Sequence, residues 1–454
     1  MKKRKADVLN LEWTAESSRD REAATLVCNY LRYMGYNVIE KSIFNGYHYI
    51  NKYRPRIYFN ISPIGANINM KILRYAYRKN IKIISSIGEG NFFGDSNSID
   101  NFIWGWNIEK KPYEEKVMLW SQRTKKLITK KYPEYKNRYI VSGCIGIDRY
   151  KIVNAVDKNK FLLKHKKNQF SKIIGFGCWD FACFFPYHVR FAHLSDQYKP
   201  FLKKLQNDRG LFNKIMKDLI EKNNDILFLF KVHPGTIGGN WDAGIDGFEK
   251  YNNVLILKNE ESIFNCISVS DFWMHYESTT AMEAWLLNKQ TCMLNPSGIK
   301  FPRSNIWQGN INYKNSNELQ KAIETFYRIG FLPKYKSLSS KRKYILKQAY
   351  EWDDGLNHVR AGNCIIEILK NMKEIKISSD TKKDFFTRYL RNIIWLLAIA
   401  LKYVKALKLL KRYSHITFND KVIKKLSKTR MLEQIKFYKK LNLDKNDLLK
   451  IKAK

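Results

Sequence analysis

Residues 225–235 read DILFLFKVHPG, an apolar run that breaks at Lys231-Val232-His233-Pro234-Gly235. The run reads as a strand over Asp225–Val232, bounded by turn residues. In an open α/β sheet, ligands sit beyond the carboxyl ends of the strands. His233 then falls where an imidazole can donate to a phosphate or face a nucleobase. Pro234 stiffens the turn, and Gly235 lets a ligand approach the backbone closely. A polar loop histidine with no ligand leaves the same pattern in the sequence.

Two further runs end in the same way. Residues 272–284, FWMHYESTTAMEA, pass from a strand at Phe272–His275 through Glu277-Ser278-Thr279-Thr280 into a helix, Thr280–Leu287. Hydroxyls and free backbone N–H groups at a strand-to-helix turn suit an anion. Thr280-x-x-Glu283 also reads as a capping box, which would occupy Thr280 and leave Ser278 and Thr279 for a phosphate. In the first half of the chain, Gly88-Glu89-Gly90 follows a strand at Ile81–Ser85. Its flanking glycines leave Glu89 uncrowded, as a general base for a hydroxyl or as an ordinary turn acid. Two weaker signals are Gly177, which ends the strand Lys172–Phe176, and aromatic-rich Trp179–Tyr187 with His188 and His193, which could line an acceptor site.

Strands and helices alternate on both sides of these motifs. The first half reads strand Asp7–Glu12, helix Ser18–Met34, strand Tyr36–Glu40, strand Ile57–Ile61, helix Asn67–Lys79 and strand Ile81–Ser85. A helix over Glu114–Lys131 and a strand at Tyr139–Ser142 follow. Lys-rich Asp157–Gln169 reads as a linker. The second half continues with helix Pro200–Lys222, strand Val254–Leu257, helix Ser262–Ser268 and strand Gln290–Leu294. Such alternation predicts parallel, doubly wound sheets. The division expected is an acceptor-side domain over 1–160, a nucleotide-sugar domain over 170–365 and a basic helical tail over 366–454. With 454 residues, 44% of them hydrophobic and 14% aromatic, the chain can fill two cores and is not a disordered polymer.

Lys and Arg number 82 against 42 Asp and Glu, a formal charge of +40, which calls for an anionic partner. A composition rich in Lys, Asn and Ile, as an AT-rich genome encodes, accounts for part of the excess. The excess is spread along the chain with no nucleic-acid-binding motif, so nucleic acid is not the expected partner. From Asn371 onward there are 23 Lys and Arg against 7 Asp and Glu. There, Trp395 and the run Ile393–Leu401 could lie in a membrane interface while Arg388, Arg391, Lys402, Lys405 and Lys408 meet anionic headgroups. A basic helical bundle packed on the second domain is the alternative. The run is too short to span a bilayer, and no signal peptide follows the basic Met1–Lys5. Seven scattered cysteines without a CxxC pair suit a reducing compartment. The expected location is cytoplasmic, peripheral on the inner face of a bacterial membrane.

The ordered motifs resemble the bacterial surface carbohydrate biosynthesis proteins, a GT-B-like group. They run from Leu11-Glu12, Arg21-Glu22 and Gly35-Tyr36 through Gly88-Glu89-Gly90, Tyr132-Pro133-Glu134-Tyr135, Val141-Ser142-Gly143 and Asp148-Arg149. His233-Pro234 and Ser278-Thr279-Thr280 before Glu283-Ala284 complete the set. The trio of acid, His-Pro and hydroxyl motifs is also similar to that of bacterial sialyltransferases and capsule ulosonic-acid (Kdo-type) transferases, which use CMP-activated sugars. The resemblance implies two Rossmann-like domains facing a cleft. It implies that Glu89 is the base, that His233 contacts nucleotide and phosphate, that Ser278 and Thr279 hold the phosphate, and that Glu283 lies near the ribose. One position departs: the group's first acid before Glu89 is Gly88 here. The reading is an inverting glycosyltransferase that moves a sugar, an acidic ulosonic acid from a CMP-activated nucleotide-sugar donor, to a surface polysaccharide or lipid-linked glycan acceptor. No metal cofactor is expected, since there is no Asp-x-Asp. The competing readings are a CDP-glycerol-type glycerophosphotransferase, a UDP-sugar 2-epimerase and a basic nucleic-acid-binding protein.

Overall fold

The computed structural model describes residues 6–12, 19–90, 98–178, 192–233, 245, 247–258, 260–299, 305–373, 378–402 and 420–454. The chain divides into two compact units, 1–153 with 347–454, and 154–346.

The first unit holds β1 (Val8–Glu12), β2 (Val38–Ser42), β3 (Ile57–Ile61), β4 (Lys82–Ser86), β5 (Lys116–Leu119) and β6 (Tyr139–Val141). They form one sheet in the order β2-β1-β3-β4-β5-β6, each pair parallel. β1 and β3 are buried along their whole length, as strands covered by helices on both faces must be. The order reverses between β1 and β3, which makes the carboxyl ends of these strands the ligand position of a doubly wound sheet.

The second unit repeats the plan. Its strands are β7 (Lys172–Gly177), β8 (Ile226–Lys231), β9 (Val254–Leu257), β10 (Phe272–His275), β11 (Gln290–Leu294) and β12 (Ile311–Tyr313). The order is β12-β11-β10-β7-β8-β9, again parallel, with the reversal between β7 and β10. All six residues of β8 are buried, which is why DILFLFK carries no polar alternation.

Three expectations change. The helix expected over Glu114–Lys131 is strand β5 followed by a helix, Gln122–Lys131. Ser121 caps that helix, its hydroxyl accepting from the Thr124 N–H, so the helix cannot extend back through β5. The expected linker contains a helix, Lys158–Lys164, capped by the Asp157 carboxylate.

The third change is the tail. Residues 347–454 belong to the first unit instead of forming an appendage or packing on the second. The helix Asn357–Asn371 lies on the helix Arg19–Tyr33 so closely that a Cβ at Gly362 would meet the Tyr30 ring at 2.2 Å. Arg430 pairs with both oxygens of Glu22 at 2.7 Å, and Gln434 donates to the Leu26 carbonyl. His358 is fully buried. Its Nδ1 lies 2.8 Å from Asp148 Oδ2 and its Nε2 2.6 Å from the Tyr438 hydroxyl. Finally, Lys454 and Val141 exchange backbone hydrogen bonds on β6. Among the described residues no helix is long and apolar enough to cross a membrane.

Candidate functional site

In the second unit the site grows from the reversal between β7 and β10. The register sets Lys231, Gly177 and His275 side by side at the carboxyl edge. His233 and Ser278 therefore leave the same edge on either side of Gly177. After His275 the chain turns sharply, with Glu277 at φ +41°, a left-handed conformation that costs a non-glycine residue about 1 kcal/mol or more. Ser278 follows, and its hydroxyl accepts from the Thr280 N–H at 3.3 Å and lies 3.0 Å from Thr280 Oγ1. The Trp273 indole donates to that same Oγ1 at 2.9 Å. Gly177 makes room for this cluster, since a Cβ there would meet Thr280 Oγ1 at 2.6 Å.

The expected capping box is absent. Thr279 is the N-cap, without a side-chain cap bond, because Trp273 and Ser278 hold the Thr280 hydroxyl. Thr279 makes no side-chain hydrogen bond among the described residues, and Ser278, Thr279 and Thr280 are all partly exposed. The turn thus presents hydroxyls at the amino end of the helix Thr280–Leu286, with Glu283 partly buried one turn further on. The N–H groups of Ser278, Thr280, Ala281 and Met282, expected to be open to an anion, are spent within the turn.

His275 was not singled out in the sequence, yet it braces the turn. It is completely buried, its Nδ1 accepts from the Ser278 N–H at 3.3 Å, and its ring lies 5.5 Å from that of Trp307. An Nδ1 that accepts places the ring proton on Nε2. Burial pushes its pKa down to about 4, with Asn310 pulling weakly the other way. The ring is therefore neutral at physiological pH. Tyr276 anchors the next position by donating to Asp208 at 2.8 Å, and Ser297 donates to the other Asp208 oxygen. Lys231 does not serve as an anion clamp. Its ammonium is buried, donates to the Val232 and Lys258 carbonyls, and has its pKa lowered by that burial. His233 is exposed. Pro234, Gly235 and Trp179–His188 lie outside the described residues, as does the His193 side chain.

In the first unit the carboxyl ends of β1, β3 and β4 gather acids. Glu12 ends β1 and is buried, its Oε1 accepting from the Ile61 N–H, Asn10 and Asn60. Its Oε2 has no partner among the described residues. Burial holds its carboxyl well above the usual range, against the pull of Arg21. Asp20 is pushed up to about 6, first by the protein atoms around it and then by the Glu89 charge, with Arg19 opposing. Even so, 36% of its side chain stays open to solvent.

Asp20 also limits what position 88 can hold. A Cβ on Gly88 would lie 3.0 Å from both Asp20 oxygens and 2.8 Å from Ser62 Cβ. A side chain at position 88 therefore has no room. Arg19 donates to the Gly88 carbonyl, and the Trp120 indole donates to Ile87 O at 2.7 Å, which fixes the turn. Glu89 stands exposed beyond it. Glu12 was part of the recognised sequence pattern without a role. For Asp20 the sequence offers one signal, an acid in the first turn of the helix that follows β1. Among the described residues no group of three His, Cys, Asp or Glu side chains is placed to hold a metal.

No protein-family model matches the chain, and among curated proteins no related sequence is found. Solved structures do resemble it. A UDP-N-acetylglucosamine 2-epimerase superposes with a TM-score of 0.52 at 12% identity, over 84% of this chain and 100% of that one. A putative UDP-N-acetylglucosamine 2-epimerase from Listeria monocytogenes gives 0.51 at 11% identity, over 83% and 100%. The wall teichoic acid polymerase TagF, soaked with CDPG, gives 0.50 at 10% identity, over 82% and 90%. With two doubly wound parallel sheets of this order, the chain has the GT-B-like α/β fold.

Proposed function

We propose that the chain is a nucleotide-sugar-dependent, inverting glycosyltransferase that acts on a surface polysaccharide or lipid-linked glycan. The observation that carries this reading is the hydroxyl turn at the β7/β10 reversal. There the hydroxyls of Ser278 and Thr279 form a cradle for the leaving phosphate, opened by Gly177 and braced by His275. Preformed donors of this kind stabilise charge as it develops on the leaving group. His233 reaches the nucleotide from the neighbouring strand, and Glu283 faces the ribose. At the first unit, Glu89 and Asp20 act as one proton-accepting pair. The acceptor hydroxyl gives its proton to the pair as its oxygen bonds to the sugar's anomeric carbon, and the bond from that carbon to the phosphate oxygen breaks.

A CMP donor rests on motif likeness alone, whereas the similar structures are two enzymes named for UDP-N-acetylglucosamine and TagF soaked with CDPG. Thermal-shift titration with CMP, UDP, CDP and GDP decides the base. No shift by any nucleotide would overturn the reading. In the transfer assay, Glu89→Gln abolishes activity and Asp20→Asn removes the acid limb near pH 6. A variant pair with wild-type rates and pH profiles would remove the base assignment. EDTA leaves the rate unchanged.

A second reading, a UDP-sugar 2-epimerase, draws on the raised carboxyls of Glu12 and Asp20 beside Glu89, a set that can both donate and accept protons. Conversion of a free UDP-sugar without any acceptor would establish it in place of transfer.

A further inference from the structure

The helix Lys382–Lys402 is built inside out. At 3.6 residues per turn, Asp384, Arg388, Arg391 and Asn392 share one stripe. That polar stripe faces the protein. Asp384 meets Arg78 at 2.6 Å, Arg388 donates to Asp380 at 3.1 Å, Asn392 accepts from Asn45 at 3.3 Å, and the Arg391 guanidinium lies 5.9 Å from the Tyr47 ring. The opposite arc is apolar and points away. Phe385, Phe386, Tyr389, Leu390, Leu396 and Leu397 are each at least 46% exposed, with Ile393 between them. A helix that docks on its own protein usually buries its apolar stripe and wets the polar one. Here the order is reversed, and a contiguous apolar face of this kind marks an interaction surface.

We infer that this face is seated in the headgroup region of an anionic lipid bilayer, with the helix lying flat. Charge chooses the occupant. The chain carries +40, with 23 cations against 7 acids after position 370, so a second copy would bring like charge to the same face. Anionic headgroups offer the complement, and exposed Lys382 stands at the start of the apolar arc. The length is also right for lying flat. The helix is about 30 Å long, yet no described helix is apolar enough to cross a bilayer. The inference goes beyond the proposed reaction and does not depend on which nucleotide the chain uses.

The test is co-sedimentation of the full chain with vesicles of phosphatidylcholine alone, and of phosphatidylcholine mixed equally with phosphatidylglycerol. The expected result is binding to the mixed vesicles only, reduced about tenfold or more by Phe386→Glu with Leu397→Glu. Both positions are exposed, so circular dichroism and melting of the double variant match wild type. Equal sedimentation of wild type and variant on the mixed vesicles would overturn the inference. So would a lipid-free dimer that the double variant dissolves, since that would assign the face to a second copy.

Discussion

Lowering the pH from 7 to 5 tests the brace behind the hydroxyl turn. His275 titrates near 4 in the folded protein and near 6.5 when exposed. Between those values the unfolded chain binds the proton and the folded chain does not, so stability falls as pH falls. The contribution is fully present above about 6.5, and about 3 kcal/mol of it is gone below 4. From pH 7 to pH 5 the loss is about 2 kcal/mol. Other groups work in the opposite direction. Burial raises the folded values of Glu12, Asp20 and Asp148, so each favours the folded state more as acid is added. The informative quantity is therefore the difference between wild type and His275→Gln, a neutral variant that can still accept from the Ser278 N–H. Urea unfolding at both pH values should show wild type losing about 2 kcal/mol more than the variant. Parallel losses would mean that the imidazole is not held neutral by burial, and the account of the turn would fail with it.

Two further outcomes follow from close packing. Gly177→Ala puts a Cβ within 2.6 Å of a hydroxyl that Trp273 and Ser278 already hold. The turn must shift, so the KM for the donor rises about tenfold and overpacking lowers stability by about 1 kcal/mol or more. His358→Ala leaves the buried Asp148 carboxylate and Tyr438 hydroxyl without the ring between them. Chemical denaturation should show a loss of about 3 kcal/mol, against about 1 kcal/mol for Tyr438→Phe.

Short apolar strands closed by turn residues are the most legible parts of the sequence. Ile57–Ile61, Val254–Leu257, Phe272–His275 and Gln290–Leu294 were read to the residue, because each is an apolar run closed by turn residues. β5 was not, since its four residues sit between charged segments and owe their conformation to pairing with β4 and β6. The return of 347–454 to the first unit was equally hidden. It rests on pairs such as Tyr30 with Gly362 and Glu22 with Arg430, hundreds of residues apart. At the site, the hydroxyl turn and Glu89 stood out by residue type and position. His275 and Asp20 did not, because what distinguishes them is burial and neighbours supplied by the fold. The capping box failed for the same reason, as Trp273 lies on the preceding strand and its indole competes for the hydroxyl.

The basic surplus and the hydroxyl turn are separate features. Composition alone invites a picture in which lysines clamp a phosphate, but several of the buried and half-buried cations are already committed within the protein. Lys231, level with Gly177 in the sheet, is held by two carbonyls. Arg430 is bound by Glu22 and Glu433, Arg32 by Glu40, and Lys79 by Asp380. The hydroxyl turn instead offers neutral donors, which under the proposed reaction suits a phosphate that must be released once its bond to the sugar has broken. The surplus that remains is densest after position 370, where the inside-out helix turns apolar side chains outward. Under the proposed reaction and the inferred lipid contact, a neutral turn and a basic helical end would let the chain hold on to a charged surface without also holding its phosphate product.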